Sequence, residues 1–323
     1  MQSLDHILYF ADGDFSPTRA LQRAVALAQK HQAQLTLMDI TVESNLSADL
    51  IKRFGLADDV QQCEQRLAAL THLAETCVSG QQPMFRVSIG TPFIEVIRTV
   101  QHNGHDLLLK PVRNRPDAQS IFTSTDMHLL RKCPCPVWME QEPTKGEAVA
   151  GATVEAQQMP VLGKRVLAAV DAALPGGESI NRRILDAATA AAIERGGALD
   201  IVHVWQTPFE PVLSGTAPQP AQDTNMTEAL AAIEQHHASA LETLGAEYSA
   251  RANDVCTHLL RGEPAKKVLE CARTLASDLL VLATLSRPRE PGLFIGTTAE
   301  DLLYGAQTSV LALKPSGFVS PVQ

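Results

Sequence analysis

A chain of 323 residues is longer than one average domain and suits two. With 45% hydrophobic, 20% charged and only 4% aromatic residues, its core must be built from Leu, Val, Ile and Ala, which favours close-packed helices and buried parallel strands over base-stacking surfaces. The formal charge is −9 and no run of Lys and Arg appears, so a nucleic-acid backbone finds little electrostatic support.

The chain opens with residues 6–12, an apolar strand ending in Asp12. Ser16-Pro17 then suggests a helix start, with Ser as cap and Pro at the first helical position. Residues 34–40 read as a second strand, 58–77 as a long helix and 84–89 as a third strand. Gly90-Thr91-Pro92 turns that strand into a helix reaching residue 101. A fourth strand, 106–110, ends in Lys110; a polar loop leads to Thr123-Ser124-Thr125-Asp126, a short helix and a fifth strand at 136–139.

Residues 143–160, with no apolar period, read as a linker between a first domain, 1–142, and a second, 161–323. The pattern then repeats. Residues 166–171 form a strand ending in Asp171, 198–205 a second, and 255–260 a third. Between the last two, a longer loop and a helix fill 206–251. Gly262-Glu263-Pro264 repeats the earlier turn. The run 279–283 is a fourth strand, Gly296-Thr297-Thr298 starts a helix, and 308–313 is a fifth strand.

Each half therefore alternates strands with helices, which implies an α/β fold: two tandem doubly wound domains, each a five-stranded parallel sheet with helices on both faces. In such sheets ligands bind beyond the carboxyl ends of the strands, where the strand order reverses. That places Asp12 beside the Lys110 loop and Asp171 beside the Ala283 loop. A free helix start after a loop favours an anion through its N–H groups and dipole.

The strand-end Asp12 and Asp171, the turns at Gly90 and Gly262, and the runs TSTDMHLLRKCPCPVWM and GTTAEDLLYGAQTSVLALKP, in this order twice over, resemble the universal stress protein family in its tandem two-domain form. The run from Phe122 to Met139 looks especially like the E-type tandem members. The resemblance implies fifth strands that pair between domains, covering apolar edges. It also implies, in nucleotide-binding members, a loop of Gly, two residues, Gly, nine residues, then Gly-Ser or Gly-Thr, with the first strand-end Asp on the adenosine.

Set against that spacing, the second half supplies Ala283, Ser286, Gly296, Thr297 and Thr298, with Asp171; two of three glycines are replaced, and Pro288 and Pro291 stiffen the loop. These are the nucleotide-binding candidates. The first half supplies Lys110, Arg113, Thr123 and Ser124, with Asp12, and keeps no glycine; it is a degenerate site suited to an anion contact through side chains or to an interaction surface.

Cys133-Pro134-Cys135 reads as buried thiols at the start of a strand, and His236-His237 point different ways on a helix, so no metal site is expected. No nucleophile with a base, and hence no catalytic residue, is recognisable. The leading reading is a non-enzymatic cytoplasmic stress-response protein acting on a partner or small ligand. Its alternatives are an ATP-binding switch or slow ATPase in the second domain, and a carrier of an apolar ligand or lipid. The two domains are expected to pair within the chain; a homodimer stays open. Six cysteines, no recognisable leader and no membrane-length apolar run point to a reducing, cytoplasmic location without membrane insertion.

Overall fold

Short apolar runs bounded by turn residues become the strands, and their alternation with amphipathic segments sets the topology. A computed structural model describes residues 3–43, 58–113, 120–143, 165–207, 224–252, 254–285 and 295–322. The first half holds β1 (His6–Phe10), α1 (Arg19–His31), β2 (Gln34–Thr41), α2 (Asp59–Cys77), β3 (Met84–Ile89), α3 (Pro92–Asn103), β4 (Leu107–Arg113), α4 (Ser124–Lys132) and β5 (Val137–Glu142). The second holds β6 (Arg165–Val170), α5 (Glu178–Arg195), β7 (Ala198–Trp205), α6 (Thr224–Ser249), β8 (Val255–Arg261), α7 (Pro264–Thr274), β9 (Leu279–Ala283), α8 (Thr297–Gly305) and β10 (Ser309–Leu313). Apart from Pro143, the expected linker lies outside the described residues.

The described residues fall into two compact units, those of 3–143 with 309–322, and those of 165–308. In the first, parallel strands run in the order β3-β2-β1-β4-β5. In the second they run β9-β6-β7-β8. The order reverses between β1 and β4, and again between β6 and β9. Right-handed crossovers therefore place the helices before and after the reversal on opposite faces.

The fifth strand of the second half, β10, packs in the first unit, antiparallel to β5: Val310 lies opposite Met139, Leu311 opposite Trp138 and Ala312 opposite Val137. The fifth strands of the two halves thus pair, and each covers the other's apolar edge. One residue beyond β10, Lys314 is 1% exposed and donates to the carbonyl oxygens of Leu130 and Arg131 at the end of α4. Burial pushes its pKa down to about 7, against the weaker opposing influence of Cys133 and Cys135. A lysine depressed on folding penalises the folded state below its folded pKa and is neutral in both states above 10.5. Urea unfolding of the first unit is therefore expected to show stability rising by about 3–4 kcal/mol between pH 7 and 10, a rise that Lys314→Met removes.

One local expectation is corrected. The cap of α1 is Thr18, which accepts from the N–H of Leu21, and not Ser16. The Ser16 hydroxyl is bound instead to Asp14, while the Thr18 hydroxyl is also fixed by buried Tyr9 at 2.9 Å. A cap anchored in the core prevails over one that local sequence makes equally good. The two Gly-x-Pro turns match as expected: Gly90 and Gly262 have φ of 143° and 133°, which only glycine adopts without strain, and Pro92 and Pro264 open α3 and α7.

Candidate functional site

Both halves bring a strand-end aspartate, the end of a fourth strand and a helix start together, at the point where the strand order reverses. What fills that space differs between them.

In the first half it is filled from within. The Lys110 Nζ lies 2.8 Å from Asp12 Oδ2 and 2.8 Å from Asp126 Oδ1. Lys110 is 3% exposed and Asp126 1%. Burial alone would lower the lysine's pKa, but the charges of Asp126 and Asp12 outweigh it and hold it above the ordinary value. The other oxygen of Asp126 accepts from the N–H of Thr123 at 2.7 Å, and the Thr123 hydroxyl accepts from the N–H of Asp126 at 3.1 Å. This capping box satisfies the start of α4, whose first residue is the exposed Ser124. Arg113 is paired with Asp14 and also donates to the Ser16 hydroxyl at 3.2 Å. Burial raises the Asp14 pKa, but Ser16 and Arg113 bring it below its usual range. The two loop cations expected to meet an anion are thus bound to the protein's own carboxylates.

In the second half the same place is a cavity of about 500 Å³. Its walls include Val170, Ile180, Val204, Leu282 and Ile295, and Asp171, Ala283, Gly296, Thr297 and Thr298 all reach it. The Asp171 backbone is held by Asn181, which donates to its carbonyl at 2.7 Å and accepts from its N–H at 3.3 Å. Its carboxylate side chain stays 53% exposed. Gly296 caps α8 without a side chain, so no group of its own occupies the helix start. Its N–H instead donates to Thr284 at 2.8 Å, drawing the two ends of the loop together. Ser286, Pro288 and Pro291 lie outside the described residues.

Strand register changes one correspondence. Counting back from the helix caps pairs Lys110 with Ala283. In the sheet, however, Leu107 lies opposite Ile7 and Leu279 opposite Val166. Asp106 binds the N–H of His6 just as Asp278 binds that of Arg165. Lys110 therefore corresponds to Leu282, and the second loop is one residue longer. Counted from the caps Thr123 and Gly296, Asp126 corresponds to Ala299. A buried ion pair in one half is replaced by Leu and Ala in the other, and the space opens.

Asp126, Asn181 and Leu282 were not singled out from sequence. Only Asp126 had a readable signal, the Thr-x-x-Asp spacing of a capping box. Among the described residues no group of three or more His, Cys, Asp or Glu side chains is arranged to hold a metal ion. Cys133 and Cys135 are buried free thiols, their sulfurs 3.5 Å apart.

A model of the universal stress protein family matches residues 3–139 and again residues 163–314. Universal stress protein E of Escherichia coli K12 is 28% identical over the whole of this chain and 98% of its own length. The protein of that name from Photorhabdus laumondii is 24% identical over the whole chain and 99% of its own. Among solved structures, a Pseudomonas aeruginosa protein of unknown function aligns with a TM-score of 0.63 at 23% identity, covering 97% of this chain and 94% of its own. A universal stress protein of Archaeoglobus fulgidus aligns with a TM-score of 0.59 at 14% identity, covering 96% and 97%. With the fold of these structures and two family matches that together span both halves, this chain belongs to the universal stress protein family in its tandem form.

Proposed function

We propose that this stress-response protein works by binding one small anionic ligand in its second half, without chemical turnover. The reading rests on a contrast between the two helix starts. That of α4 is closed by Asp126 and the buried Lys110, whereas that of α8 opens without a side-chain cap onto a cavity.

The lining suits a ligand with two polar ends. At α8 the first-turn N–H groups and the positive end of the helix dipole favour a phosphate or carboxylate. The exposed Asp171 carboxylate accepts hydroxyl donors such as those of a ribose. Val170, Ile180 and Val204 offer apolar walls for a flat ring. An adenine nucleotide meets all three requirements, and a nucleoside monophosphate meets them with the least uncompensated charge, because Asp171 is the one charged side chain among the described lining residues. The reading gives the first half a structural role. We place the protein in the cytoplasm, consistent with six free cysteines and with no described helix long and apolar enough to cross a membrane.

Calorimetric titration with AMP and ATP, each with and without magnesium, tests this. One site per chain with a dissociation constant of about 1–100 µM is expected, tighter for AMP when magnesium is absent. Saturation by neither nucleotide up to millimolar concentration would sink the nucleotide reading.

A further inference from the structure

The two halves use different chemistry for one mechanical link. In the first half, Asp39 of β2 accepts the N–H of Gly13, the residue after Asp12, at 2.9 Å, and pairs through its other oxygen with Arg66 of α2. One side chain thereby ties the strand-end turn to the crossover helix. In the second half the corresponding place on β7 is taken by His203. Its Nδ1 lies 3.3 Å from the N–H of Ala172, the residue after Asp171, and 3.3 Å from the carbonyl of Val170. Its Nε2 lies 2.7 Å from Nδ1 of His237 on α6. The His237 ring is stacked on Trp205, with centroids 5.5 Å apart. A permanent ion pair in one half is a pair of imidazoles in the other.

A contact of 2.7 Å between ring nitrogens needs one N–H and one lone pair. A neutral pair supplies them, and so does a pair carrying one charge. When both rings are protonated, both nitrogens carry hydrogen and the contact becomes a repulsion between two cations. His203 is only 1% exposed, so a charge there has no water to receive it. We propose that His203 and His237 form an acid-sensitive latch, which holds α6 against the Asp171 turn when neutral and releases it when doubly protonated.

The surrounding charges make this a second-proton event. Asp171 Oδ1 lies 3.8 Å from His203 Nδ1 and favours a first proton there. His236, its ring 5.7 Å from that of His237, opposes a second. Across Trp205, the Arg261 guanidinium lies 5.4 Å from the indole ring and adds positive charge from β8. On α5, Arg182 and Asp186 face the far end of α6, where they meet Glu247, Tyr248 and Arg251. On α7, the buried titratable group is Cys271. Burial lowers both imidazole pKa values below 6.5; Asp171 opposes this at His203, while His203 and His236 reinforce it at His237. Both groups therefore favour the latched fold above pH 6.5, and that support is lost as pH falls through the lower folded values.

The test measures amide hydrogen exchange of the full-length protein, corrected for intrinsic rates, at about pH 7.5 and pH 5. On acidification, protection of α6 around His237 and of the turn at residues 170–174 is expected to fall at least tenfold, while the first-half turn at Asp12 keeps its protection. The double variant His203→Asp/His237→Arg transplants the first-half pair and is expected to abolish the difference. If that variant folds poorly, His237→Gln serves, since its amide bonds to His203 without titrating. NMR titration of the wild-type imidazoles gives a second readout: two coupled steps are expected, the second well below the first. Independent titration of both rings near 6.5, or equal loss of protection in wild type and variants, would overturn the latch. None of these readouts requires a bound ligand, so they stand apart from the nucleotide titration.

Discussion

Replacing Lys110 by Met is expected to destabilise the first unit by about 3–5 kcal/mol, the usual cost of removing one partner from a buried ion pair. The side chain sits between two carboxylates at 2.8 Å, and Asp126, at 1% exposure, has no water to turn to when the ammonium is gone. Urea unfolding followed by Trp138 fluorescence reads this unit alone when Trp205, the second of the chain's two tryptophans, is changed to Phe. The companion variant Lys110→Leu/Asp126→Ala copies the residues of the second half, Leu282 and Ala299. It removes both buried charges together, and about 2 kcal/mol or more of the loss is expected to return. A double variant as unstable as the single one would show that the capping box, and not the ion pair, holds this region together.

Changing Gly296 to Asp is expected to weaken nucleotide binding about 100-fold, close to 3 kcal/mol. The aspartate would take up the first-turn N–H groups of α8 and place a negative charge where the ligand's anion sits. At effective dielectric constants near 20, two such charges about 4 Å apart repel by roughly 4 kcal/mol, enough to account for the loss. The position accepts a side chain: Gly296 has φ of −80°, and among the described residues a Cβ there would meet only the Thr284 carbonyl oxygen, at 3.7 Å. Gly296→Ala is therefore expected to bind nearly as wild type. Because an Asp cap is better than a Gly cap by roughly 0.3 kcal/mol, the thermal midpoint of Gly296→Asp should hold or rise slightly. Lost binding with a lowered midpoint would indicate damage to the fold and not blockage of the site; unchanged binding would place the anion elsewhere.

The comparison within one chain explains why the halves diverge. Keeping the first-half site closed requires several groups at once: Lys110, its two acids, Thr123 as cap, and Asp14 to occupy Arg113. Opening the second requires few changes, with Leu at the lysine position, Ala in place of Asp126, and glycine at the cap. The link from the strand-end turn to the crossover helix diverges in the same way, from the Asp39–Arg66 ion pair to the titratable His203–His237 contact. Charge is permanent where the site is closed and adjustable where it is open.

The sequence by itself determined the ten strands, the tandem repeat and the pairing of the fifth strands. The strands and the repeat follow from local periods and from turns such as Gly90-Thr91-Pro92; apolar edges call only for a cover, and it is the family resemblance of the sequence that implies the pairing. It also brought Asp12 to Lys110 and Asp171 to Ala283, since the topology of an open parallel sheet puts the ends of its first and fourth strands together. Only the tertiary structure decided what those neighbours do. The match of Lys110 with Leu282 depends on strand register, which spacing from the helix cap misjudges by one residue when the loops differ in length. The cap of α1 moved to Thr18 because Tyr9 holds that hydroxyl in the core. The partners of Asp39 and His203 lie 27 and 34 residues away on crossover helices, too far for any local pattern to reveal. Chain periodicity selects elements because it acts within a few residues; ion pairs, cavities and shared protons arise between elements and exist only once the sheet has set their register.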